Sequence, residues 1–435
     1  MVMAANLDRF EKFSGTLKIF GGYTRAQILD IETGDVRDVF AECKNGALEL
    51  PVDVERAQSV FVRVSKEKPV AKVAPKKLRT VSVEKLENIS AKRLDDNSLT
   101  LDYVSFSFDG DRRGIDAQVP VLEAMNYLNS IKYDGDVRLK YSFKAANFDP
   151  SRKLRLVVEY PQRYQIKVNG RGVSYAGLPA WRDFRWLPID ITGLVKDGDN
   201  TVELYCPEFK YGDLATYKPQ WRRYGTELEA VYLVGDFSVD ARDTGARPRD
   251  KQYDSFKTKL PRNVMVEKNS ITLTNPKPLN FGDATLGGLP FYAGRLAYSA
   301  TAKTDVSNGA RVFVKLGDLD CPVAEVRVDG KRAGVIKFAP YELDITEFVS
   351  KPESKIEVVL YASLRNLADC PHNARGEILS IWPQMYTIQD LGRGAKFFDN
   401  LRDFATGKWK SKKWNMDYCQ VSFGDVGEIS VITRR

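Results

Sequence analysis

Short apolar runs that alternate with polar residues recur along this chain, and helical spacing of apolar residues is nearly absent. Alternation with a period of two residues is typical of β-strands that bury one face. Asn-Gly and Asp-Gly dipeptides at 45–46, 169–170 and 329–330 follow such runs, as they do in tight hairpins. The pattern predicts an all-β protein, with its strongest helical candidate at residues 119–131. The predicted strands include LKIF, RAQILDI, SVFVRV, LRLVVEY, YQIKV, TVELY, AVYLVGDF, RVFVKL, AEVRV, KIEVVLYA and ISVITR.

The chain has 435 residues, which is too many for one hydrophobic core, and its composition changes along its length. We expect a small antiparallel β-domain over 1–66 and a basic, proline-containing linker over 67–85. A jelly-roll β-sandwich is expected over 86–240, a polar linker over 241–260 and a second jelly-roll sandwich over 261–435. Many short strands without alternating helices favour sandwiches over a barrel of parallel strands.

The two predicted sandwiches carry the same ordered motif, which is an internal repeat. The first copy reads YQIKVNG at 164–170 and IDITGLVKDGDNTVELY at 189–205. The second reads AEVRVDG at 324–330 and LDITEFVSKPESKIEVVLY at 343–361. The segment between the turn and the Asp-Ile-Thr element is six residues longer in the first copy.

The residue types in this motif indicate a scaffold role rather than catalysis. Asn169 and Asp329 tolerate the left-handed conformation that a tight turn needs. The isoleucine of each Asp-Ile-Thr element is expected to be an apolar plug. Asp190 and Asp344, with the threonine that follows each, are expected to hydrogen-bond nearby backbone amides.

The extra length of the first copy lies in GLPAWRDFRWLPID, residues 177–190, which we name the Trp-Arg loop. Aromatic faces bind the C–H surfaces of sugars, and planar arginine groups bind their hydroxyls. The loop therefore predicts a carbohydrate-binding platform, and the segment 216–225 is expected to extend it. The alternative is that the tryptophans cap the sandwich or contact a neighbouring domain. The candidate residues are Trp181, Arg182, Arg185, Trp186, Tyr217, Trp221 and Arg222.

A second candidate segment lies in the second sandwich and contains Asn366, His372 and Asn373. His372 is the only histidine of the chain, so a histidine-based metal site is largely excluded. A nucleophilic triad is not expected either, because no Gly-x-Ser-x-Gly elbow occurs. His372 is predicted to hold the loop through hydrogen bonds, and the alternatives are that it binds a sugar hydroxyl or titrates.

Composition narrows the cofactors and partners further. Five separate cysteines without a Cys-x-x-Cys pair indicate neither a zinc site nor a disulfide framework. No cofactor or metal is predicted. A structural calcium ion is kept as an alternative, although no aspartate spacing of the EF-hand type occurs. The net charge is +8, and the basic runs at 65–79 and 407–414 are interpreted as solvated segments rather than nucleic-acid contacts.

No apolar run is long enough for a membrane span, and no membrane partner is expected. Charges interrupt residues 1–13, where a signal peptide would be apolar. The expected compartment is the cytoplasm if Met1 is the natural start, and the periplasm or exterior if the chain belongs to a larger secreted protein.

The order of the turn, the Asp-Ile-Thr element, the polar turn and the strand resembles the sugar-binding jelly-roll domain of family 2 glycoside hydrolases. The segments 226–237, 287–299 and 363–373 are similar to the non-catalytic C-terminal region of α-L-rhamnosidase-like enzymes of family 106. The last segment departs from the family pattern, since Asp369 and Cys370 precede its Pro-His pair.

This resemblance implies that both sandwiches are galactose-binding-like domains that once followed, or still follow, a separate catalytic domain. Glycoside hydrolysis needs two carboxyl groups at a defined separation, and no such pair is nominated here. The expected function is a non-catalytic region that binds or positions a glycan. The alternatives are a scaffold that braces a catalytic domain or subunit, and an active glycosidase.

Overall fold

The computed structural model of the protein describes residues 1–8, 11–30, 34–56, 58–68, 78–213, 223–248, 262–368, 372–376, 388, 390–411 and 413–435. Strands dominate this part of the chain, and its two α-helices are α1 (Val121–Ser130) and α2 (Ala395–Ala405). The predicted all-β class is confirmed. The helix predicted at 119–131 is present as α1, whereas α2 was not predicted.

The N-terminal unit consists of two small antiparallel sheets that enclose a core of their own. Along one central strand Leu48, Leu50, Val52 and Val54 point inward, and the residues between them point outward, so period-two alternation builds this core. The sheet orders are β1-β7-β3-β4 and β2-β6-β5. The first nine strands are β1 (Val2–Ala5), β2 (Phe13–Phe20), β3 (Arg25–Leu29), β4 (Val36–Val39), β5 (Glu42–Lys44), β6 (Ala47–Val54), β7 (Ser59–Ser65), β8 (Thr80–Lys85) and β9 (Ser90–Arg93).

The first sandwich packs a four-stranded sheet, β10-β19-β14-β17, against a larger sheet with the path β12-β11-β13-β18-β15-β16. One continuous hydrophobic core lies between them and includes Leu139, Tyr141, Leu156 and Leu233. Both helices pack on the β12 side of this sandwich. Its strands are β10 (Asn97–Leu101), β11 (Tyr103–Phe108), β12 (Arg113–Pro120), β13 (Asp134–Ala145), β14 (Leu154–Glu159), β15 (Gln165–Val168), β16 (Arg171–Val173), β17 (Trp186–Asp190), β18 (Gly198–Lys210), β19 (Val231–Gly235) and β20 (Ser238–Asp240).

The second sandwich pairs a five-stranded sheet, β26-β25-β28-β23-β9, with a four-stranded sheet, β27-β24-β30-β8. Its core is separate and includes Val312, Val326, Ile345 and Val358. The pair β21–β29 forms a small additional sheet. The remaining strands are β21 (Asn263–Val266), β22 (Thr272–Thr274), β23 (Arg295–Lys303), β24 (Arg311–Leu316), β25 (Val323–Val328), β26 (Lys331–Ile336), β27 (Glu342–Asp344), β28 (Glu353–Tyr361), β29 (Tyr418–Val421) and β30 (Ile429–Arg434).

Strand pairing divides the chain differently from composition. Strand β8 lies within the range predicted as a linker, yet it pairs with β30 of the second sandwich. Strand β9 lies within the range predicted as the first sandwich, and it pairs with β23 of the second. Conversely, β22 pairs with β13 and β20 of the first sandwich. The chain therefore contributes to the second sandwich before it builds the first.

The hairpin of the internal repeat has the same geometry in both sandwiches. Asn169 and Asp329 both adopt left-handed φ angles of 48°, as the turn chemistry predicts. The Oδ1 atom of Asn169 accepts a hydrogen bond from the Thr201 amide at 2.9 Å, and that of Asp329 accepts one from the Lys355 amide at 2.9 Å. Each turn residue thus also anchors the strand that closes the motif.

The Asp-Ile-Thr elements likewise form matching hydrogen bonds. The Asp190 carboxylate accepts a bond from the backbone amide two residues later at 2.9 Å, and Asp344 does the same at 2.9 Å. The isoleucines Ile191 and Ile345 are both buried. The predicted scaffold role of the motif is consistent with these bonds, because Asn169, Asp190, Asp329 and Asp344 each accept a hydrogen bond from a backbone amide.

Candidate functional site

The Trp-Arg loop, residues 177–190, ends in β17, which is an edge strand of the sheet β10-β19-β14-β17. Residues that face each other on neighbouring antiparallel strands lie on the same side of a sheet. Trp186 is opposite Glu159 on β14, and Tyr232 on β19 is opposite Val157. These side chains share the outer face of the sheet, since Leu156 on the other face belongs to the core.

Three aromatic rings are in contact on this outer face. The Trp186 ring centroid lies 4.7 Å from that of Tyr232, and the Trp181 centroid lies 6.0 Å from that of Trp186 with 25° between the ring planes. The loop closes on itself through the Trp181 amide, which donates to the Trp186 carbonyl at 2.9 Å. Arg182 sits at the turn with a left-handed φ of 66°, and its guanidinium carbon lies 5.7 Å from the Trp181 ring centroid. Both tryptophans are half-buried.

Three carboxylates cluster beside these rings, and sequence reasoning did not identify them. One oxygen from each of Glu159, Glu227 and Glu229 lies within 4.8 Å of the others. Burial, followed by repulsion from Glu159 and Glu227, raises the pKa of Glu229 to about 7. Burial also raises the pKa of Glu159, against the opposing attraction of Arg185. The cluster can therefore hold or release a proton near neutral pH.

Arg185 connects the carboxylate cluster to the loop. Its guanidinium lies 3.3 Å from Glu159 and 3.3 Å from Asp183. The same group lies 5.3 Å from the ring centroid of Phe184, which is 78% exposed and is the most solvent-accessible ring of the loop. Sequence reasoning passed over Phe184 in favour of the tryptophans. Tyr217, Trp221 and Arg222 lie outside the described residues.

The opposite side of the same outer face is covered by the second sandwich. The Thr100 hydroxyl on β10 donates to the Leu367 carbonyl at 2.6 Å. Leu367 and Ala293 are buried in one apolar cluster with Val157 and Tyr232, and the two tryptophans pack against that cluster. The aromatic group is therefore part of the contact between the sandwiches on one side and borders solvent on the other.

The three residues proposed in the second sandwich occupy separate environments along β29. Asn366 is buried, and its amide pairs with both backbone groups of Val421, at 2.7 and 2.9 Å. Asn373 accepts a bond from the Arg375 amide at 2.9 Å. His372 is 1% exposed and points away from solvent.

His372 lies in a buried polar network that joins residues 372 and 417–418 to Asp102 and Tyr103 at the start of β11. Its Nε2 lies 2.8 Å from a carboxylate oxygen of Asp102, and the Tyr418 hydroxyl donates to the other oxygen of Asp102 at 2.6 Å. Its Nδ1 lies 3.0 Å from the Tyr103 hydroxyl and 3.0 Å from the Asp417 carbonyl. This network agrees with the predicted hydrogen-bonded role of His372, and it leaves the ring no contact with bulk solvent.

The carboxylate trio has the donor type that calcium prefers, because all its ligand atoms are oxygens. Acidic groups often cluster without an ion, and nothing else in the described part of the chain points to one. Among the described residues no helix is long and apolar enough to span a membrane.

No family model matches this chain, and no curated protein matches it. Among solved structures it is similar to a rhamnosidase from Novosphingobium sp. PP1Y, with 12% identity and a TM-score of 0.34 over 99% of this chain and 22% of that one. It is also similar to a β-D-glucuronidase from Dictyoglomus thermophilum, with 17% identity and a TM-score of 0.22 over 48% of this chain and 42% of that one. A β-glucuronidase from Ruminococcus gnavus matches with 13% identity and a TM-score of 0.24 over 64% of this chain and 44% of that one.

These three solved structures are glycosidases, and the chain spans less than half of the length of each.

Proposed function

We propose that this chain is a non-catalytic, carbohydrate-binding β-sandwich region, and that a glycan binds at the Trp-Arg loop. The observation that carries the proposal is the exposed Phe184 ring beside the Arg185 guanidinium and the carboxylates of Asp183 and Glu159. An aromatic face and fixed charged groups within one small area are what a sugar ring requires.

Preorganisation supports the same proposal. Asp183 accepts a bond from the Arg185 amide at 2.8 Å and also lies beside its guanidinium, so the arginine is held before a ligand arrives. Within the loop the Trp181 and Trp186 rings stack, and the Trp181 amide donates to the Trp186 carbonyl at 2.9 Å. A site that is already ordered loses less conformational entropy when it binds.

The experiment is a glycan-array screen of the full chain, followed by calorimetric titration with the oligosaccharides it selects. Phe184→Ala is expected to weaken binding about tenfold while the protein stays folded, because the ring is exposed and stacks on the sugar. Arg185→Gln is expected to weaken binding by a similar factor. Turnover of aryl glycosides should be measured on the same samples.

Phe338→Ala is the matched control. Phe338 is 53% exposed and lies between β26 and β27, the place in the second copy that corresponds to the Trp-Arg loop. Its removal should leave glycan binding unchanged. Equal losses for Phe184→Ala and Phe338→Ala, or no binding to any glycan, would refute the proposal. Turnover that Glu229→Gln abolishes would replace it with an active glycosidase.

A structural role is the second candidate function, and one observation favours it. Trp181 and Trp186 pack against an apolar cluster that includes Leu367 and Ala293 of the second sandwich. In this alternative the aromatic group only holds the sandwiches together, and the region braces a catalytic domain or subunit. It predicts that Trp186→Ala destabilises the protein while Phe184→Ala changes neither stability nor any binding.

A further inference from the structure

A separate cavity lies where the first sandwich meets the turn between β21 and β22, away from the Trp-Arg loop. It encloses about 260 Å³ and is lined on one side by β10, β11 and β13 of the first sandwich. The other side is formed by the turn at 268–271 and by Tyr418 of β29. We name it the junction pocket. Its lining includes the apolar residues Leu99, Leu101 and Ile271 as well as charged side chains.

Lys144 and Lys268 both line the junction pocket, and Lys268 is the more buried of the two. The Lys268 ammonium lies 4.5 Å from the centroid of the Tyr103 ring, and its side chain is half-buried. Within the described part of the chain the ammonium makes no ion pair, although Asp102 and Asp417 are near enough to favour its charge. Burial outweighs these two acids and lowers the pKa of Lys268. A ligand anion would offset this cost of burial.

Asp102 and Asp199 both line the junction pocket, and the Asp102 carboxylate is held by hydrogen bonds on both of its oxygens. Tyr418 and His372 each bind one of its carboxylate oxygens. The carboxylate is 17% exposed, so part of it faces the cavity. Because Asp102 already accepts two bonds from the protein, it is fixed in position to accept further bonds from ligand hydroxyls.

The size of the cavity limits the ligand. Pockets for drug-sized molecules enclose about 300–1,000 Å³, so this one matches a molecule no larger than a single sugar ring. We propose that the junction pocket binds a hydroxylated carboxylate of that size, a sugar acid, whose carboxylate pairs with Lys268 while its hydroxyls donate to Asp102. The site is independent of the glycan site proposed above.

D-glucuronate and D-glucose test this proposal, because they differ at one carbon that carries a carboxylate or a hydroxymethyl group. Calorimetric titration of the full chain should show glucuronate binding at least about tenfold more tightly than glucose. Lys268→Gln should abolish that preference, and Lys268→Arg should keep it. Acetate should bind far more weakly than glucuronate, because it cannot reach Asp102.

Lys140→Gln is the matched control, since Lys140 is exposed on the same strand and side of the sheet as Lys144 but does not line the cavity. It should bind glucuronate as the unaltered chain does. If Lys268→Gln does not fold, reductive ¹³C-methylation of the unaltered chain decides the question, because glucuronate should then shift the NMR signal of Lys268 and not that of Lys140.

Equal affinity for glucuronate and glucose would overturn the proposal, and so would an unshifted Lys268 signal. Phe184→Ala must leave glucuronate binding unchanged. A loss in that variant would place the ligand at the Trp-Arg loop and refute a separate junction site. Failure of the glycan array has no bearing on the titration, so the two proposals fail independently.

Discussion

The Asp-Ile-Thr elements of the two sandwiches make the same hydrogen bonds, whereas the segments just before them differ in length and chemistry. In the first sandwich twelve residues, 174–185, separate β16 from β17 and carry the Trp-Arg loop. In the second, five residues, 337–341, separate β26 from β27. The repeat therefore keeps its hydrogen-bonded frame and varies the loop that the frame supports. This is the usual division between a scaffold and the site placed on it.

The two sandwiches also differ in the environment of their buried acidic residues. The sheet face beside the Trp-Arg loop carries acids whose pKa is raised by burial, as Glu229 shows. In the second sandwich Glu325 lies between Arg327 and Arg332, and although burial opposes it, these arginines hold the pKa of Glu325 below its usual value. Burial therefore dominates the pKa of Glu229 in the first sandwich, whereas ion pairing dominates the pKa of Glu325 in the second.

The largest expected effect is the loss of stability when the buried isoleucine of each motif is truncated, and it tests whether the two copies of the hydrogen-bonded frame are equivalent. Ile191→Ala and Ile345→Ala should each reduce the free energy of unfolding of their own sandwich by about 2–5 kcal/mol, because each removes a fully buried side chain. Amide hydrogen exchange, read separately on peptides of each sandwich, measures the loss. The matching Val variants should cost about 1 kcal/mol. A large effect in one copy only would show that the frames are not equivalent.

The next largest effect is a pH dependence of stability that we expect in the first sandwich. The folded-state pKa of Glu229 is raised from 4.5 to about 7, so its protonated form stabilises the fold below pH 4.5 and this contribution is lost as the pH rises through 7. Glu229→Gln should remove about 2 kcal/mol of that pH dependence from the first sandwich. Urea unfolding at pH 5 and pH 8 measures it.

Glu123 provides the internal comparison for that experiment. It is buried in α1, and burial raises its pKa to about 7 as well, so it contributes in the same direction and pH range. Some pH dependence should therefore persist in Glu229→Gln and fall further when Glu123→Gln is added. Unchanged pH dependence in the double variant would show that neither acid is protonated in the folded protein.

A smaller effect is expected from the threonine of each motif. The Thr192 hydroxyl accepts a bond from the Leu154 amide at 3.1 Å, and the Thr346 hydroxyl accepts one from the Val312 amide at 3.0 Å. Replacing either threonine by valine leaves that amide without its partner and should cost about 1 kcal/mol in stability. Serine, which keeps the hydroxyl, should restore most of the loss. Thermal unfolding measures all four variants, and a valine variant as stable as its serine counterpart would contradict the proposed bond.

The smallest effect sharpens the difference between the loops. Phe184→Ala and Phe338→Ala should each change stability by less than about 0.5 kcal/mol, because both rings are exposed. Melting temperatures of the two variants measure this. A clear loss for Phe184→Ala would mean that its ring packs within the fold, and its value as a probe of ligand binding would end.

Local patterns predicted much of the fold. Period-two alternation located the strands, and the Asn-Gly and Asp-Gly dipeptides located turns that have the expected left-handed residues. The helix α2 was missed, although Phe397, Leu401 and Phe404 follow helical spacing and two of them are buried. The basic run after it drew attention as a charged segment, yet Trp414 at its end is buried. The composition of a charged segment therefore does not show which of its apolar side chains are buried.

Only part of the candidate site could be predicted from the sequence. The Trp-Arg loop could be predicted because its tryptophans and arginines are adjacent in the sequence. The cluster of Glu159, Glu227 and Glu229 could not be predicted in this way. Glu159 is far from the other two along the chain, and the pairing of β14 with its neighbours brings the three together.

The sequence by itself determined the repeated frame, because its turn residues and its Asp-Ile-Thr bonds depend on neighbours a few positions away or on the next strand of a fixed motif. The tertiary structure decided which sandwich receives β8 and β9, since every strand offers the same backbone donors and acceptors and only packing selects among partners. It also decided the place of His372, whose carboxylate partner Asp102 is 270 residues away. Contacts between polar residues so far apart in the chain depend on the fold, and no local sequence pattern predicts them.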